Sequence, residues 1–147
     1  MSGFNFAYTV PFPKDSKLTM KQVFEALRVK CREPTKFVGA FSACEVLEET
    51  PTYIKRRVTT TAGRVEVEEI DLYAPTMAVF KGEEGKSIIT NIVSEAEDGS
   101  LFLTLTFEVK DGAWFAKGLE HALALAKAGT HKSVEVTLEM LEKGELN

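Results

Sequence analysis

Hydrophobic and polar residues alternate along most of the first 110 residues, with the period of two that is typical of half-buried β-strands. The first such segment has aromatic side chains at Phe4, Phe6, Tyr8 and Phe12, and the prolines at positions 11 and 13 end it. The same alternation predicts six further strands, at residues 41–49, 53–61, 64–73, 77–81, 87–95 and 101–110.

The period changes to that of a helix in two places. Thr19 is predicted to cap the first helix, and Gln22 completes a capping box with it. Residues 113–143 contain no proline and are rich in Ala, Leu, Glu and Lys, which predicts a helix about 45 Å long at 1.5 Å per residue. Gly129 and Thr130 could divide this segment in two, but we favour one continuous helix.

One stripe of the long helix carries small residues in its middle and larger ones at its ends: Gly118, Ala122, Leu125, Gly129, Ser133, Val136 and Met140. Small side chains permit either close packing or space beneath the helix. The order of elements is strand, helix, a run of strands and a long helix, which predicts the α+β class. We expect an antiparallel, strongly curved sheet of about six to seven strands, with its apolar face wrapped around the C-terminal helix.

Composition narrows the class of protein. A chain of 147 residues is expected to form one domain, and its net charge of −4 argues against nucleic-acid binding. No apolar run approaches the length needed to span a bilayer, and the N-terminus does not read as a signal peptide. Cys31 and Cys44 are too few for a disulfide framework, so we expect reduced, buried thiols in a cytoplasmic protein.

The segment IKRRVTTTAGRVEVEEI, at residues 54–70, predicts a charged hairpin. With Ala62-Gly63 as a two-residue loop, Arg56 lies opposite Glu69, and Arg57 lies opposite Glu68. The face that carries Val58 and Val67 is the better candidate for the inner side, so we expect an inward Arg56–Glu69 ion pair and an outward Arg57–Glu68 pair. The inward pair either fixes the strand register or anchors a polar ligand group. A bulge at Glu68-Glu69 is the alternative, and it would send both glutamates outward.

The residue pairs of the second hairpin are found by the same counting outward from its loop. With Asp98-Gly99 as the loop, Thr90 lies opposite Phe107, and Ile92 lies opposite Leu105. That face is apolar except for Thr90 and Ser94. Thr90 is therefore a second candidate polar group on the inner side.

The remaining motifs do not predict a phosphate-binding, metal-binding or cofactor-binding site. GEEGKS, at residues 82–87, has the wrong spacing for a phosphate-binding loop and reads as a turn. His121 and His131 lie among charged residues without further ligands at metal-binding spacing. Trp114 is expected to close the core. We see no nicotinamide or flavin fingerprint and expect no cofactor.

Several segments resemble one branch of a known superfamily. LTMKQVFEALRVKCREPTKFVGAFSACEVLEE, at residues 18–49, places a helix before a Glu-Pro pair, then Phe-Val, then a strand. RRV at 56–58, Glu69, SIITNIVSE at 87–95 and GSLFLTLTFE at 99–108 continue the pattern in register. In these features the chain resembles the AtaL-like branch of the SRPBCC, or START-like, helix-grip superfamily.

The resemblance implies an apolar small molecule held between the sheet and the long helix, since members of the superfamily carry lipids or hormones or cyclise polyketides. We favour a cofactor-free cyclase, isomerase or dehydratase of secondary metabolism, in which the catalytic residues Arg56 and Glu69 polarise a substrate oxygen. The alternatives are a non-catalytic carrier of a lipid or hydrophobic metabolite, and a protein–protein module with a collapsed cavity. A homodimer is expected only from general frequency. The predicted ligand contacts are Arg56, Glu69, Thr90, Val58, Val67, Leu105, Phe107 and Leu125.

Overall fold

The computed structural model describes residues 3–110 and 118–147. These residues form seven strands: β1 (Phe4–Pro11), β2 (Phe41–Thr50), β3 (Tyr53–Thr60), β4 (Val65–Tyr73), β5 (Met77–Lys81), β6 (Ser87–Glu95) and β7 (Leu101–Val109). They also form two α-helices, α1 (Met20–Arg32) and α2 (Leu119–Glu142), and short 3₁₀ turns at Lys14–Ser16, Pro34–Lys36 and Glu83–Gly85. The predicted strands are confirmed to within a residue or two at their ends, and GEEGKS forms a turn.

The strands form one antiparallel sheet in the order β1-β7-β6-β5-β4-β3-β2, so β1 and β2 are its edges. The sheet is curved and does not close. Helix α2 packs against β1 and β7, while α1 packs against β6 and β2. This arrangement is the predicted α+β helix-grip fold. No helix in the described ranges is long and apolar enough to span a membrane.

Helix α1 begins at the predicted capping box. The Gln22 N–H donates to Thr19 Oγ1 (3.1 Å), and the Thr19 N–H donates to Gln22 Oε1 (3.0 Å). These bonds satisfy backbone groups that would otherwise lack partners at the helix start. The apolar side of α1 buries Val23, Phe24 and Leu27 against the sheet.

Helix α2 continues through Gly129 and Thr130 without a break, which confirms one helix over the described residues. The Thr130 hydroxyl donates to the Ala126 carbonyl (2.7 Å), so it is satisfied inside the helix and does not cap a new one. Leu125 was predicted on the inward stripe, but it is 37% exposed. Ala122 is buried as predicted, and Ala126, four residues further along, is buried in place of Leu125, because residues four apart lie on the same side of a helix. The predicted start of the helix and Trp114 lie outside the described residues.

The β3–β4 register differs from the prediction by one residue. The loop contains Thr61, Ala62 and Gly63: the Thr60 N–H donates to the Arg64 carbonyl (2.8 Å), and Gly63 adopts a φ of +88°. A three-residue loop with a left-handed glycine is a common hairpin connection. A loop one residue longer moves each pairing by one position.

The longer loop makes the predicted Arg56–Glu69 and Arg57–Glu68 pairings wrong. Arg56 lies opposite Glu68, Arg57 lies opposite Val67, and Lys55 lies opposite Glu69. The pairing between β3 and β4 runs without a register shift, so the predicted bulge at Glu68-Glu69 is also wrong.

The β6–β7 hairpin shows the same shift for the same reason. Its loop contains residues 97–99: the Ala96 N–H donates to the Ser100 carbonyl (2.8 Å), and Gly99 has a φ of +86°. Thr90 therefore lies opposite Thr106 on the outer face, and its predicted inward position is wrong. Asn91, which lies opposite Leu105, takes an inward position instead.

Candidate functional site

A group of buried polar and charged side chains lies on the inner face of the sheet and on the part of α1 that covers it. Those that are at least nine-tenths buried there are Lys30, Arg56, Thr60, Glu66, Glu68, Ser87 and Asn91. Their neighbours on the same face are apolar and include Ile54, Ile70 and Phe80. Buried polar groups in such surroundings require hydrogen-bond partners, so their bonds indicate what each group does.

The guanidinium group of Arg56 has hydrogen-bond partners on both the sheet and helix α1. Its Nε and Nη2 atoms donate to Glu68 Oε1 (3.0 and 2.7 Å), and Nη1 donates to the carbonyls of Lys30 and Cys31 (3.1 and 3.0 Å). The guanidinium also lies 5.2 Å from the ring centre of Phe80. Arg56 thus caps the C-terminal carbonyls of α1 and joins the helix to β4.

Glu69 lies on the opposite face from Arg56. It is exposed and accepts a hydrogen bond from the Tyr53 hydroxyl, which raises the pKa of Tyr53 to about 12. Arg57 also points outward and forms its ion pair with Glu45 (2.6 Å). The structure therefore does not bring the two predicted catalytic residues together.

The remaining predicted contacts divide between the two faces. Val58, Leu105 and Phe107 are buried on the inner side, where they were expected. Val67 is half-buried on the outer face, because the register shift reverses its orientation along with that of Glu69.

Lys30 and Asn91 form a second buried pair. Lys30 Nζ donates to Asn91 Oδ1 at 2.7 Å, and the two residues are 5% and 1% exposed. Lys30 lies near the end of α1, and Asn91 lies in the middle of β6, so the bond joins helix to sheet. Burial, together with the nearby charge of Arg56, lowers the pKa of Lys30 to about 8.

The Asn91 side chain is only partly satisfied. Because an ammonium group can only donate, the amide atom that faces Lys30 must be the oxygen, which fixes the position of Nδ2. Nδ2 is buried and has no hydrogen-bond partner among the described residues. The neighbouring ammonium carries three N–H groups, of which one is used by Asn91. Donors therefore exceed acceptors at this point, and an acceptor oxygen would complete the site.

The sequence contains a signal for this pair. Lys30 lies three residues after Leu27 and seven after Val23, at the spacing of the buried side of α1. Asn91 interrupts the apolar run IITNIV. The assumed two-residue loop turned Asn91 outward in the prediction, and this obscured its role.

The cysteines and histidines do not add a reactive centre to the described part of the chain. Cys31 is fully buried, and burial raises its thiol pKa to about 11. Cys44 is half-buried, and both thiols are free. His131 bonds through Nε2 to the Tyr8 hydroxyl (3.0 Å). The described ranges contain no group of three metal-ligating side chains.

Residues 6–144 match the family model described as acetylaranotin biosynthesis cluster protein L, or AtaL. The chain belongs to the AtaL family. No curated protein matches the sequence.

Solved structures share the fold at low sequence identity. The Zhui aromatase/cyclase from Streptomyces sp. R1128 matches with a TM-score of 0.69 and 17% identity, over 96% of this chain and 94% of that one. The KanY protein matches with a TM-score of 0.70 and 14% identity, over 93% and 99%. Ara h 8.0201 matches with a TM-score of 0.58 and 18% identity, over 92% and 97%. These likenesses show that this chain has the helix-grip fold, as the sequence resemblance implied.

Proposed function

We propose that the protein binds an apolar, aromatic or polyketide-like small molecule on the inner face of its sheet, and that it catalyses a cofactor-free cyclisation of that molecule. In this proposal Lys30 and Asn91 polarise a carbonyl oxygen of the substrate. The observation that carries the proposal is the buried, unpaired Nδ2 donor of Asn91 beside the Lys30 ammonium.

A buried donor without a partner costs roughly 1–3 kcal/mol. A ligand carbonyl between Asn91 Nδ2 and the free N–H groups of Lys30 would remove that cost. The surrounding apolar side chains would bind the rest of the molecule, as is usual for small-molecule sites. A pKa of about 8 keeps most of the Lys30 side chain protonated at neutral pH, so that it can donate.

Two converging donors suit chemistry in which negative charge develops on oxygen. Ring closure between carbon atoms of a polyketide proceeds through an enolate. Its formation breaks a C–H bond next to the carbonyl, passes the proton to a hydroxide ion from solvent, and leaves negative charge on the oxygen that Lys30 and Asn91 would hold. The enolate carbon then attacks a second carbonyl carbon of the same molecule, and the oxygen of that carbonyl takes up a proton from water. The likeness to an aromatase/cyclase structure supports this reaction class.

Binding can be tested with methyl naphthyl ketone and with isopropylnaphthalene, a probe of similar shape that lacks the carbonyl. We expect calorimetry to show that the ketone binds at least about tenfold more tightly, because it satisfies the two donors. Lys30→Met and Asn91→Leu should remove that preference. Thr90→Val, on the outer face of the same strand, should retain it. If neither probe binds, the small-molecule function is wrong.

Catalysis can be tested with the same ketone by NMR in deuterated water. Exchange of its methyl protons reports enolate formation. We expect the protein to accelerate exchange and Lys30→Met to abolish the acceleration. Binding of the ketone without faster exchange would favour the alternative of a carrier.

A further inference from the structure

A second polar site lies at one end of the inner face, outside the Lys30–Asn91 pair. Strand β4, Arg64 just before it, the β5–β6 turn and the first residue of β6 surround a cavity of about 170 Å³. Four glutamates and two basic side chains line it, together with Gly82 and Ser87. A cavity of this size holds more than one water-sized group, so it can accept the polar end of a ligand.

Glu66 and Glu68 enter the cavity from alternate positions of β4, and both are 5% exposed. Their partners differ. Glu68 accepts two hydrogen bonds from the buried Arg56, which compensates its charge. Glu66 forms an ion pair only with Arg64 (3.1 Å), whose side chain is 52% exposed. Burial raises the pKa of Glu66, the charge of Arg64 opposes that rise, and the neighbouring Glu83 carboxyl adds to it.

Ser87 and Gly82 form the floor of the cavity. The Gly82 N–H donates to the Ser87 carbonyl (2.9 Å), and a Cβ at Gly82 would lie 2.4 Å from Ser87 Oγ. Ser87 as a residue is 4% exposed, and its side chain lines the cavity without a hydrogen bond to another described residue. The absence of a side chain at Gly82 therefore leaves room beside the Ser87 hydroxyl.

The acidic side chains around the cavity outnumber the basic side chains. Arg64 forms an ion pair with Glu66, and Lys86 forms one with Glu84 (3.2 Å). Arg56, which does not line the cavity, forms an ion pair with Glu68. Glu83 accepts a hydrogen bond from the backbone N–H of Val67. Within the described ranges, Glu83 forms no ion pair with a basic side chain. The four carboxyl groups of the cavity thus outnumber the three basic side chains that pair with them.

We propose that this cavity binds a protonated amine of the ligand, held by the Glu66 carboxylate and the Ser87 hydroxyl. The proposal rests on the proposed function, because the cavity lies at the end of the same inner face. Ser87 and Asn91 lie on that face of β6, four residues apart, or about 13 Å at 3.3 Å per residue. A ligand would have to extend over about 13 Å to contact both positions.

Ionised Glu66 attracts an ammonium group, whereas protonated Glu66 does not. The affinity for an amine should therefore increase as the pH rises through the raised pKa of Glu66. Glu68, Glu83, Glu84, Arg64 and Lys86 also face the cavity, so the pH dependence must be compared between the natural protein and a variant at Glu66.

The experiment uses three probes with the same chain: decylamine, decanol and decanoic acid, measured by calorimetry at several pH values. We expect decylamine to bind at least about tenfold more tightly than decanol, and decanoic acid to bind most weakly. Glu66→Gln should remove this preference. Glu69→Gln, on the outer face of the same strand, should retain it.

A steric variant provides an independent test. Gly82 has a φ of −76°, which alanine adopts without backbone strain, and the added Cβ would require only the Ser87 hydroxyl to rotate away, so Gly82→Ala should fill this part of the cavity and leave the fold intact. We expect it to reduce decylamine binding about tenfold and to leave decanol binding unchanged.

The possible results separate the two proposals. If none of the three probes binds, the proposed small-molecule function is wrong. If decanol and decylamine bind equally, if decanoic acid binds most tightly, or if Glu66→Gln and Gly82→Ala leave the preference unchanged, the amine site is wrong while the proposed function stands.

Discussion

Two buried polar pairs lie on the inner face and contact the same ring, yet they differ in how completely they are bonded. The Arg56 guanidinium and the Lys30 ammonium lie 5.2 and 5.9 Å from the ring centre of Phe80. Arg56 uses its donors on Glu68 and on the last carbonyls of α1. The Lys30–Asn91 pair retains donors without partners. A saturated pair of this kind stabilises the fold, whereas an unsaturated pair is better suited to binding a ligand.

The largest expected effect comes from breaking the saturated pair. Arg56→Met leaves Glu68 buried without its partner and removes the cap on α1, so we expect a loss of about 3–5 kcal/mol in the free energy of unfolding. Urea denaturation measures this. The double variant Arg56→Met/Glu68→Leu should recover most of the loss. Arg57→Met, which breaks an exposed pair, should cost about 0–1 kcal/mol. Equal losses for Arg56→Met and Arg57→Met would contradict a structural role for the buried pair.

The second-largest expected effect is a pH dependence of the free energy of unfolding that is caused by the buried Lys30. Its pKa is about 8 in the folded protein and 10.5 when unperturbed, so between these values the unfolded chain binds more protons. The free energy of unfolding should therefore rise with pH across that window, by up to about 3 kcal/mol.

Denaturation of the natural protein and of Lys30→Met at several pH values isolates this effect. The raised thiol pKa of Cys31 acts in the opposite direction above pH 9.0, but it is present in both proteins and largely cancels in the difference. The exposed Lys36 supplies the control, since Lys36→Met should show the same pH dependence as the natural protein. If the difference in the free energy of unfolding between the natural protein and Lys30→Met does not change with pH, burial does not lower the pKa of Lys30.

A smaller effect is expected when the unsaturated pair loses its amide. Asn91→Leu removes an unpaired donor but also the acceptor of Lys30, so the free energy of unfolding should change by less than about 1 kcal/mol. The pKa of Lys30 should fall further, as measured by NMR of labelled lysine side chains. Asn5→Leu, at an exposed position of β1, is the matched control. A loss above about 3 kcal/mol would show that Asn91 is as structural as Arg56.

The smallest effect is expected at Glu69, which lies outside both pairs. Glu69→Gln should change the free energy of unfolding by less than about 1 kcal/mol. It should also return the pKa of Tyr53 from about 12 towards 10.0, because the neutral amide no longer favours the protonated hydroxyl. Absorbance of tyrosinate measures that change, with Glu95→Gln as the control. A large loss of stability would contradict the observed strand register.

Sequence reasoning predicted the strands, the capped helix and the fold class because each depends on local periodicity and on a few capping and turn residues. It placed Glu69 and Thr90 on the wrong face because orientation in a hairpin depends on the exact loop length. Ala62-Gly63 and Asp98-Gly99 both suggest two-residue loops, but in each hairpin one more residue joins the loop.

The same shift decided which polar groups belong to the candidate site. Arg56 was correctly expected to point inward, since both loop lengths leave its orientation unchanged relative to Val58. Glu68, Ser87 and Asn91 were missed, because each lies on the strand that the shorter loop would reverse. No local pattern distinguishes the two loop lengths, since the packing of the whole sheet selects between them.

The position of β1 has a consequence for how the chain is made. Strand β1 is the first to be synthesised and pairs along its length with β7, the last strand, so that Phe4 lies opposite Val109. Strands β2 to β7 can assemble as successive hairpins while the chain emerges from the ribosome, but β1 must wait for β7. Contacts between such distant residues form slowly. The aromatic side chains of β1 therefore remain without their native neighbours until synthesis reaches β7, and chaperones have that interval in which to bind them.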